Sequence, residues 1–545
     1  MNRHWKPVAT KIVVLVLAVL VCPSFSRGAQ EVFSGGETYI LLAQHLGAVV
    51  KKAKIGDALV GIDVREAQSG ARIYALNPAQ PLNPASGIKV LTAFAALACI
   101  GPEHRFATAV RADGKSGGEV RNVYLVGGGD PSLETGDLRE MARAAAVGGV
   151  KTDKGDVVVD DSLFDEESLP PFFDHNPASD ADNPFRASVG AASLNANRIE
   201  VRVLPPAAGA AKAGIEVFPK GYAGVVNDTS VVKEGKNEIA VSLHGEGKDR
   251  KVRVAGKVPA SYGGGIFYVR ADDPSMLAGH ALRQLLEEAG VKVKGGVKRG
   301  PAPGSGTALL ASHKSESLSA ILPHLGKESQ NFYAEQLLKM TGAAAQGAPA
   351  TSAKGIEAVK DILEKAGVDP GGVTLVNGSG LYDANAISAQ DMAAFLSYAL
   401  LTPEYFPEFL SQLAVGGVDG TLAKRFGGGD GLRRVRAKTG TLKGTTSLSG
   451  YVLPPPGKKA VAFSIIVNKT AGRTLYFRKL QDEIVETIAD FLYGGADASA
   501  GSAAGGEGKG KGAGEGKKEE ADKAPAGGAG EKGDPAQVPA PPGEE

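Results

Sequence analysis

The chain has 545 residues, 43% of them apolar, enough to build two or three domains around sizeable cores. Its 61 basic and 60 acidic side chains nearly cancel, leaving a net charge of +1, which gives no reason to expect a nucleic-acid partner, whose phosphates favour a strongly basic face. Glycine, at 74 residues, is about twice as frequent as usual, the excess falling in loops and at the C-terminus.

Residues 1–29 have the form of an export signal, with Arg3, Lys6 and Lys11 ahead of the apolar run Ile12 to Val21, then Pro23 and small residues. A run of about ten residues is too short to span roughly 30 Å of hydrocarbon as a helix, so cleavage is expected after Ser26 or Ala29, and no transmembrane anchor in the mature protein. Cys22 has Val21 before it and Pro23 after it, which suits a lipid-modified cysteine poorly. The expected location is the periplasm or cell surface. Removing the signal leaves Cys99 as the only cysteine, so no internal disulfide is expected; in the run AFAALACI it reads as a small packing residue.

A helix is predicted over 37–53, then a hairpin of strands starting at Ala58 and Ala71 around the turn Glu66 to Gly70. The loop Pro81 to Ala85 leads into a long apolar helix starting near Ser86 and ended by Gly101-Pro102. Residues 111–273 change texture to short β-rich runs broken by Gly, Pro and Asn, an inserted β-rich region of two subdomains. Within it, Gly127 to Pro131 lacks the G-x-G-x-x-G spacing and a Walker lysine, and is read as a turn. Towards the other end, SLSGYVL and AVAFSIIV are strands separated by Pro454, Pro455, Pro456 and Gly457. A final helix repeats Ile484, Val485, Ile488, Phe491 and Leu492 at helical spacing to cover one face of a sheet. The two ends, 30–110 and 274–493, thus form one α+β domain with an antiparallel sheet. Residues 494–545 have almost no large apolar side chain, too few to offset their ordering entropy, and are predicted to be a disordered tail.

Three short motifs carry chemistry. Ser-x-x-Lys occurs at Ser86 and again at Ser230. After Ser86 a helix puts Ser86 and Lys89 on adjacent turns within hydrogen-bond reach, whereas the strand-like Val231 and Val232 send Ser230 and Lys233 to opposite faces. A serine hydroxyl is a weak nucleophile until a base takes its proton, and a lysine can do so only when neutral. Lowering its pKa from about 10.4 to about 7.5 corresponds to roughly 4 kcal/mol, which requires a partly dry cleft; Lys438, if nearby, would add like-charge repulsion in the same direction. Ser-x-Asn also occurs twice. The Ser193–Asn195 copy lies in turn-rich sequence, while Ser329-Gln330-Asn331 opens the amphipathic stretch FYAEQLLKM, so Ser329 can relay a proton to a leaving amine and Asn331 can bind a substrate amide.

Lys438-Thr439-Gly440 precedes a β-rich segment. A strand with a cation, hydroxyls and a glycine that allows close approach suits a peptide ending in a carboxylate, held by Lys438, Thr439 and Thr441. The backbone N–H groups of Ser86 and Thr441 would form an oxyanion hole, typically about 3 kcal/mol per donor. No G-x-S-x-G elbow or H-E-x-x-H group occurs, and neither a metal nor an organic cofactor is implied.

The set S-x-x-K, S-x-N and K-T-G is that of penicillin-binding proteins and related β-lactamases. With 243 residues between Ser86 and Ser329 and 109 between Ser329 and Lys438, the chain resembles D-alanyl-D-alanine carboxypeptidases of the penicillin-binding protein 4 type, the low-molecular-mass class C group. Stretches including YLVGGGDPSL, SLNANRIEV, NGSGLYDANAIS and KTGTLKGTTSLSGYV extend the resemblance over most of residues 60–490. It implies a penicillin-recognising transpeptidase-like domain with the extra domains held in the long first gap, peptidoglycan stem peptides as substrate, and β-lactams as covalent inhibitors. Gln330 and Asn377 stand where the family often has Asp. The alternatives are a β-lactamase, which differs in how fast water clears the acyl-serine, and a non-catalytic wall-binding protein that keeps the fold.

Overall fold

A computed structural model describes residues 39–113, 119–175, 183–186, 188–426 and 433–494; the predicted export signal and nearly all of the predicted tail lie outside them. The central element is a six-stranded antiparallel sheet whose order across the sheet is Ala414–Val415, Val435–Leu442, Thr445–Val452, Val461–Asn468, Leu59–Glu66, Arg72–Leu76. The expected N-terminal hairpin therefore pairs directly with strands some 400 residues later, with Ile62 opposite Ile465. Alternation of side chains along each strand gives the sheet two buried faces. On one, Val60, Ile62, Leu448 and Phe463 meet Leu42 and Leu46 of the helix Ile40–Lys52 and Phe477, Ile484 and Ile488 of the helix Thr474–Tyr493. The final helix covers the sheet as its periodicity predicts, with Phe491 only partly buried at the margin.

On the other face lies an all-helical layer around the helix Lys89–Ile100. Nine of its twelve residues are buried, and Phe94 is ringed edge-on by Phe395, Tyr398, Tyr405 and Phe409 at 5.5 to 6.1 Å. Such aromatic pairs add about 1 kcal/mol each beyond area burial, and they fix the depth of the helix that carries Lys89. Ser86 itself lies in a short 3₁₀ turn, Ala85–Ile88, just ahead of the predicted long helix. Cys99, in the last turn, is free and half-buried, and burial pushes its thiol pKa up, away from a reactive thiolate.

The inserted region is β-rich as expected but reaches further than 111–273 and includes two helices. A five-stranded mixed sheet runs Val297–Arg299, Val157–Asp160, Val123–Val126, Ala107–Asp113, Thr307–Lys314. It is packed by the helices Thr135–Val147 and Pro274–Glu288 through Leu138, Met141, Leu282 and Leu285. The insertion therefore starts at about Ala107 and continues to Lys314. Residues 274–314, grouped by sequence with the catalytic domain, complete its sheet. A second core around Val201, Val252, Val254 and Leu277 joins two three-stranded sheets built from residues 198–270.

Candidate active site

The site lies where the 3₁₀ turn, the entrance of the helix Asn331–Gln346 and the Val435–Leu442 strand meet. Lys89 is fully buried, while Ser86 is half-exposed to the cleft. The Lys89 Nζ lies 2.8 Å from Ser86 Oγ, 2.7 Å from Asn331 Oδ1 and 2.6 Å from the Ser379 carbonyl oxygen. The Asn331 amide is oriented by its Nδ2, which donates to the Phe185 carbonyl at 3.0 Å, so its oxygen faces the lysine. Lys438, also fully buried, donates to Ser329 Oγ at 2.8 Å and to the Thr439 carbonyl at 2.7 Å. All five side chains singled out by sequence as catalytic are thus brought together, although 243 and 109 residues separate the motifs.

Electrostatics follow from burial. Lys89 is held well below its usual range by desolvation first and by the nearby Lys438 charge second, against the opposing pull of Glu335. Desolvation alone lowers Lys438 from 10.5 to about 7. Two amines that share one dry site near neutral pH cannot both be readily charged, the condition a lysine base requires.

Close approach explains the glycines. A Cβ at Gly440 would stand 2.1 Å from the Pro84 carbonyl and 2.3 Å from Ser447 Oγ, so only glycine lets the strand lie against the turn that carries Ser86. Ser447 Oγ donates to that same Pro84 carbonyl at 2.6 Å and pins the turn to the sheet. Ala85 and Ser329 have φ of 48° and 60°, left-handed values costing on the order of 1 kcal/mol each; the first immediately precedes Ser86 and the second is the serine bonded to Lys438.

Several contributors have no motif in the sequence. Glu335, one helical turn beyond Asn331, is fully buried and accepts the backbone N–H of Ser379 at 2.7 Å and of Gly378 at 3.2 Å; desolvation pushes its carboxyl up from the usual range. It fixes the two peptide groups that immediately precede the Ser379 carbonyl, the acceptor of Lys89. Thr92 Oγ1, one turn after Lys89, donates to the Gly378 carbonyl at 2.8 Å. The Phe185 carbonyl comes from the inserted region. A spacing of i, i+4 from Asn331 was the only signal for Glu335, and backbone carbonyls have none.

Thr439 and Thr441 lie half-buried and exposed on the same strand as Lys438, with Gly440 buried between them. Thr439 Oγ1 donates to Thr421 Oγ1 at 2.8 Å, and Thr441 Oγ1 accepts from Arg478 Nη2 at 2.9 Å. The short strand Ala414–Val415 pairs only with Ala437 and Arg436, so beyond Ala437 the outer edge carrying Lys438 to Leu442 has no partner strand among the described residues. Substrate backbone can add there.

The duplicate motifs lie elsewhere. Ser230 is in the strand Gly224–Val232, Ser193 Oγ donates to the Gly190 carbonyl at 2.7 Å, and Asn195 Oδ1 accepts the Thr135 N–H at 3.0 Å. The Gly127 to Pro131 stretch is a loop in which a Cβ at Gly128 would meet the Ala107 carbonyl at 1.8 Å. Of the two departures, Gln330 bonds Glu328 at the surface. Asn377 is buried: its amide N–H groups reach the carbonyls of Leu381 and Pro171, while its oxygen accepts from Gly380 N–H and Asn385, a mixed role that a carboxylate could not fill. Among the described residues no group of three His, Cys, Asp or Glu side chains could hold a metal ion, and no helix is long and apolar enough to cross a membrane.

The profile of the D-Ala-D-Ala carboxypeptidase 3 (S13) family matches residues 42–489. The chain belongs to that family. It is 34% identical over 476 residues to a D-alanyl-D-alanine carboxypeptidase of Actinomadura sp. (strain R39), covering 85% of this chain and 86% of the relative. It is 28% identical over 399 residues to the D-alanyl-D-alanine carboxypeptidase DacB of Haemophilus influenzae, covering 70% and 80%. Among solved structures, penicillin binding protein 4 of Haemophilus influenzae superposes with a TM-score of 0.69 at 25% identity, over 82% of this chain and 99% of that one. The α+β penicillin-recognising fold expected from sequence is that of this family member.

Proposed function

We propose that this chain is a serine-type D-Ala-D-Ala carboxypeptidase acting on peptidoglycan stem peptides, exported to the periplasm or cell surface by its N-terminal segment. The observation that carries the mechanism is the set of partners around Lys89. A neutral amine has two N–H donors and one lone pair. Asn331 Oδ1 and the Ser379 carbonyl can only accept, so they take both donors, and the lone pair is left to face Ser86 Oγ. The Ser86 proton then has an acceptor before substrate arrives.

Ser86 attacks the carbonyl of the penultimate D-Ala and its proton passes to Lys89. A tetrahedral intermediate forms with its oxyanion towards the backbone N–H groups of Ser86 and Thr441. Collapse requires a proton on the leaving nitrogen; Ser329, its oxygen held by Lys438, delivers its own and takes in exchange the proton that Lys89 accepted from Ser86, so that Lys89 is neutral again. Terminal D-Ala leaves, and water, activated by the same amine, hydrolyses the acyl-serine. Lys438, Thr439 and Thr441 hold the terminal carboxylate, and Gly440 lets the peptide backbone lie against the strand. A D-Ala cross-link to a D-centre bearing a free carboxylate presents the same leaving group, so D,D-endopeptidase activity follows from the same residues. β-Lactams acylate Ser86, in keeping with a second structure of the Haemophilus influenzae protein complexed with a novel β-lactam.

The test is covalent labelling with a fluorescent penicillin together with release of D-Ala from monomeric and cross-linked muropeptides. Wild-type protein labels and cleaves, and Ser86→Ala does neither; a Ser86→Ala variant that still labels would remove Ser86 as nucleophile.

A further inference from the structure

We infer that Arg478 is a specificity-determining residue that acts through Thr441 to select substrates ending in a free carboxylate; the inference rests on the peptidase reading above. Two hydroxyls at the edge of the cleft are each backed by a cation. Lys438 Nζ donates to Ser329 Oγ at 2.8 Å, and Arg478 Nη2 donates to Thr441 Oγ1 at 2.9 Å. A hydroxyl whose oxygen already accepts a cationic N–H directs its own proton elsewhere, and its O–H becomes a stronger donor because the accepted bond polarises it. Thr441 is exposed at the strand edge, so its proton is free for a ligand added along that edge.

The two cations approach the unpaired strand edge from opposite sides of the sheet. Side chains alternate along Val435–Leu442, so Lys438 points into the helical layer while Thr441 lies on the face covered by the helix Thr474–Tyr493, which carries Arg478. The nearby acid is engaged by another cation: Asp482 Oδ1 takes two N–H bonds from Arg425, at 2.6 and 2.9 Å. Arg478 is half-buried, and burial together with the Arg425 charge disfavours its charged form against the opposing pull of Asp482, a net cost that an anion at Thr441 reduces. The matching ligand is a carboxylate on the terminal residue of a peptide added along the edge from Lys438 to Leu442. A neutral amide at that position gains a hydrogen bond from Thr441 but nothing from the charge behind it.

The experiment compares two synthetic peptides that share one scissile bond, diacetyl-Lys-D-Ala-D-Ala and its C-terminal amide, as substrates of the full chain. Arg478→Gln is expected to lower kcat/KM for the free acid about tenfold or more while changing the amide by less than twofold; Arg478→Lys is expected to restore most of the selectivity. Loss shared equally by both peptides, or selectivity unchanged in Arg478→Gln, overturns the inference. Because Arg478 is argued to act through Thr441, the selectivity of Thr441→Val should not fall further when Arg478→Lys or Arg478→Gln is added. A further, independent fall also overturns it, and this arm holds even where Arg478→Gln alone does not fold. Wild-type protein that cleaves neither peptide and is not labelled at Ser86 would instead sink the peptidase reading beneath it.

Discussion

Lys438 is fully buried with a proton affinity lowered from 10.5 to about 7, so it should cost stability while serving chemistry. A shift of that size corresponds to about 5 kcal/mol of stability forgone at pH 7, because the unfolded chain keeps the proton that the folded chain gives up. Lys438→Met keeps the length of the side chain and removes this term, but loses the bonds to Ser329 Oγ and the Thr439 carbonyl, about 3 kcal/mol together including the unsatisfied groups left behind. The expected net result at pH 7 is a gain of about 2 kcal/mol in urea unfolding, with penicillin acylation of Ser86 reduced on the order of 100-fold. The sign with pH follows from linkage. Above pH 10.5 the lysine is neutral in both states and imposes no cost. Between pH 10.5 and 7 the wild type loses about 1.4 kcal/mol per unit from this group as pH falls, and below pH 7 the loss levels off. Lys89, lowered for the same reason, adds in the same direction. The variant should show a shallower rise in stability from pH 7 to 10. A variant less stable than wild type at pH 7, or wild-type stability flat over that range, would refute the reasoning.

Glu335→Gln removes the anion that raises Lys89's proton affinity, so the acidic limb of the pH profile for Ser86 acylation should move to lower pH; stability should fall by about 2 kcal/mol, because one of the Gly378 and Ser379 N–H groups loses its acceptor. An acidic limb that stays put or moves up counts against that role. Gly440→Ala drives a methyl into the Pro84 carbonyl and Ser447 Oγ, and should cost about 2 to 3 kcal/mol in chemical denaturation together with loss of penicillin labelling; normal labelling would show that the strand need not lie so close. Asn331→Ala takes away one of the two acceptors that aim the Lys89 lone pair, and stopped-flow acylation should slow by about 10- to 100-fold with Ser86 still the labelled residue. A rate within twofold of wild type would dismiss the lone-pair argument.

What could be read before any coordinates was whatever depends on neighbours in the chain. Ser86 and Lys89 are three residues apart, so helical geometry alone brings amine and hydroxyl together, and the periodicity of Ile484, Val485, Ile488 and Leu492 determines which face of the last helix is buried. The S-x-N and K-T-G motifs were legible for a related reason: each packs several polar groups of defined chemistry into three positions. Tertiary structure decided the rest, because alternation and periodicity record which face is apolar but not which distant segment covers it. The inserted sheet runs to Lys314 since Ala107–Asp113 pairs with Thr307–Lys314, a partner about 200 residues away that nothing local specifies. Glu335 reads as one more acidic residue on an amphipathic helix until the fold buries it against the Ser379 loop. The carbonyls of Ser379 and Phe185 have no side-chain signature at all, yet between them they orient Lys89 and Asn331. Arg478 stands 37 residues beyond Thr441, with two strands between, and only the packing of the last helix on the sheet carries its charge to the cleft edge.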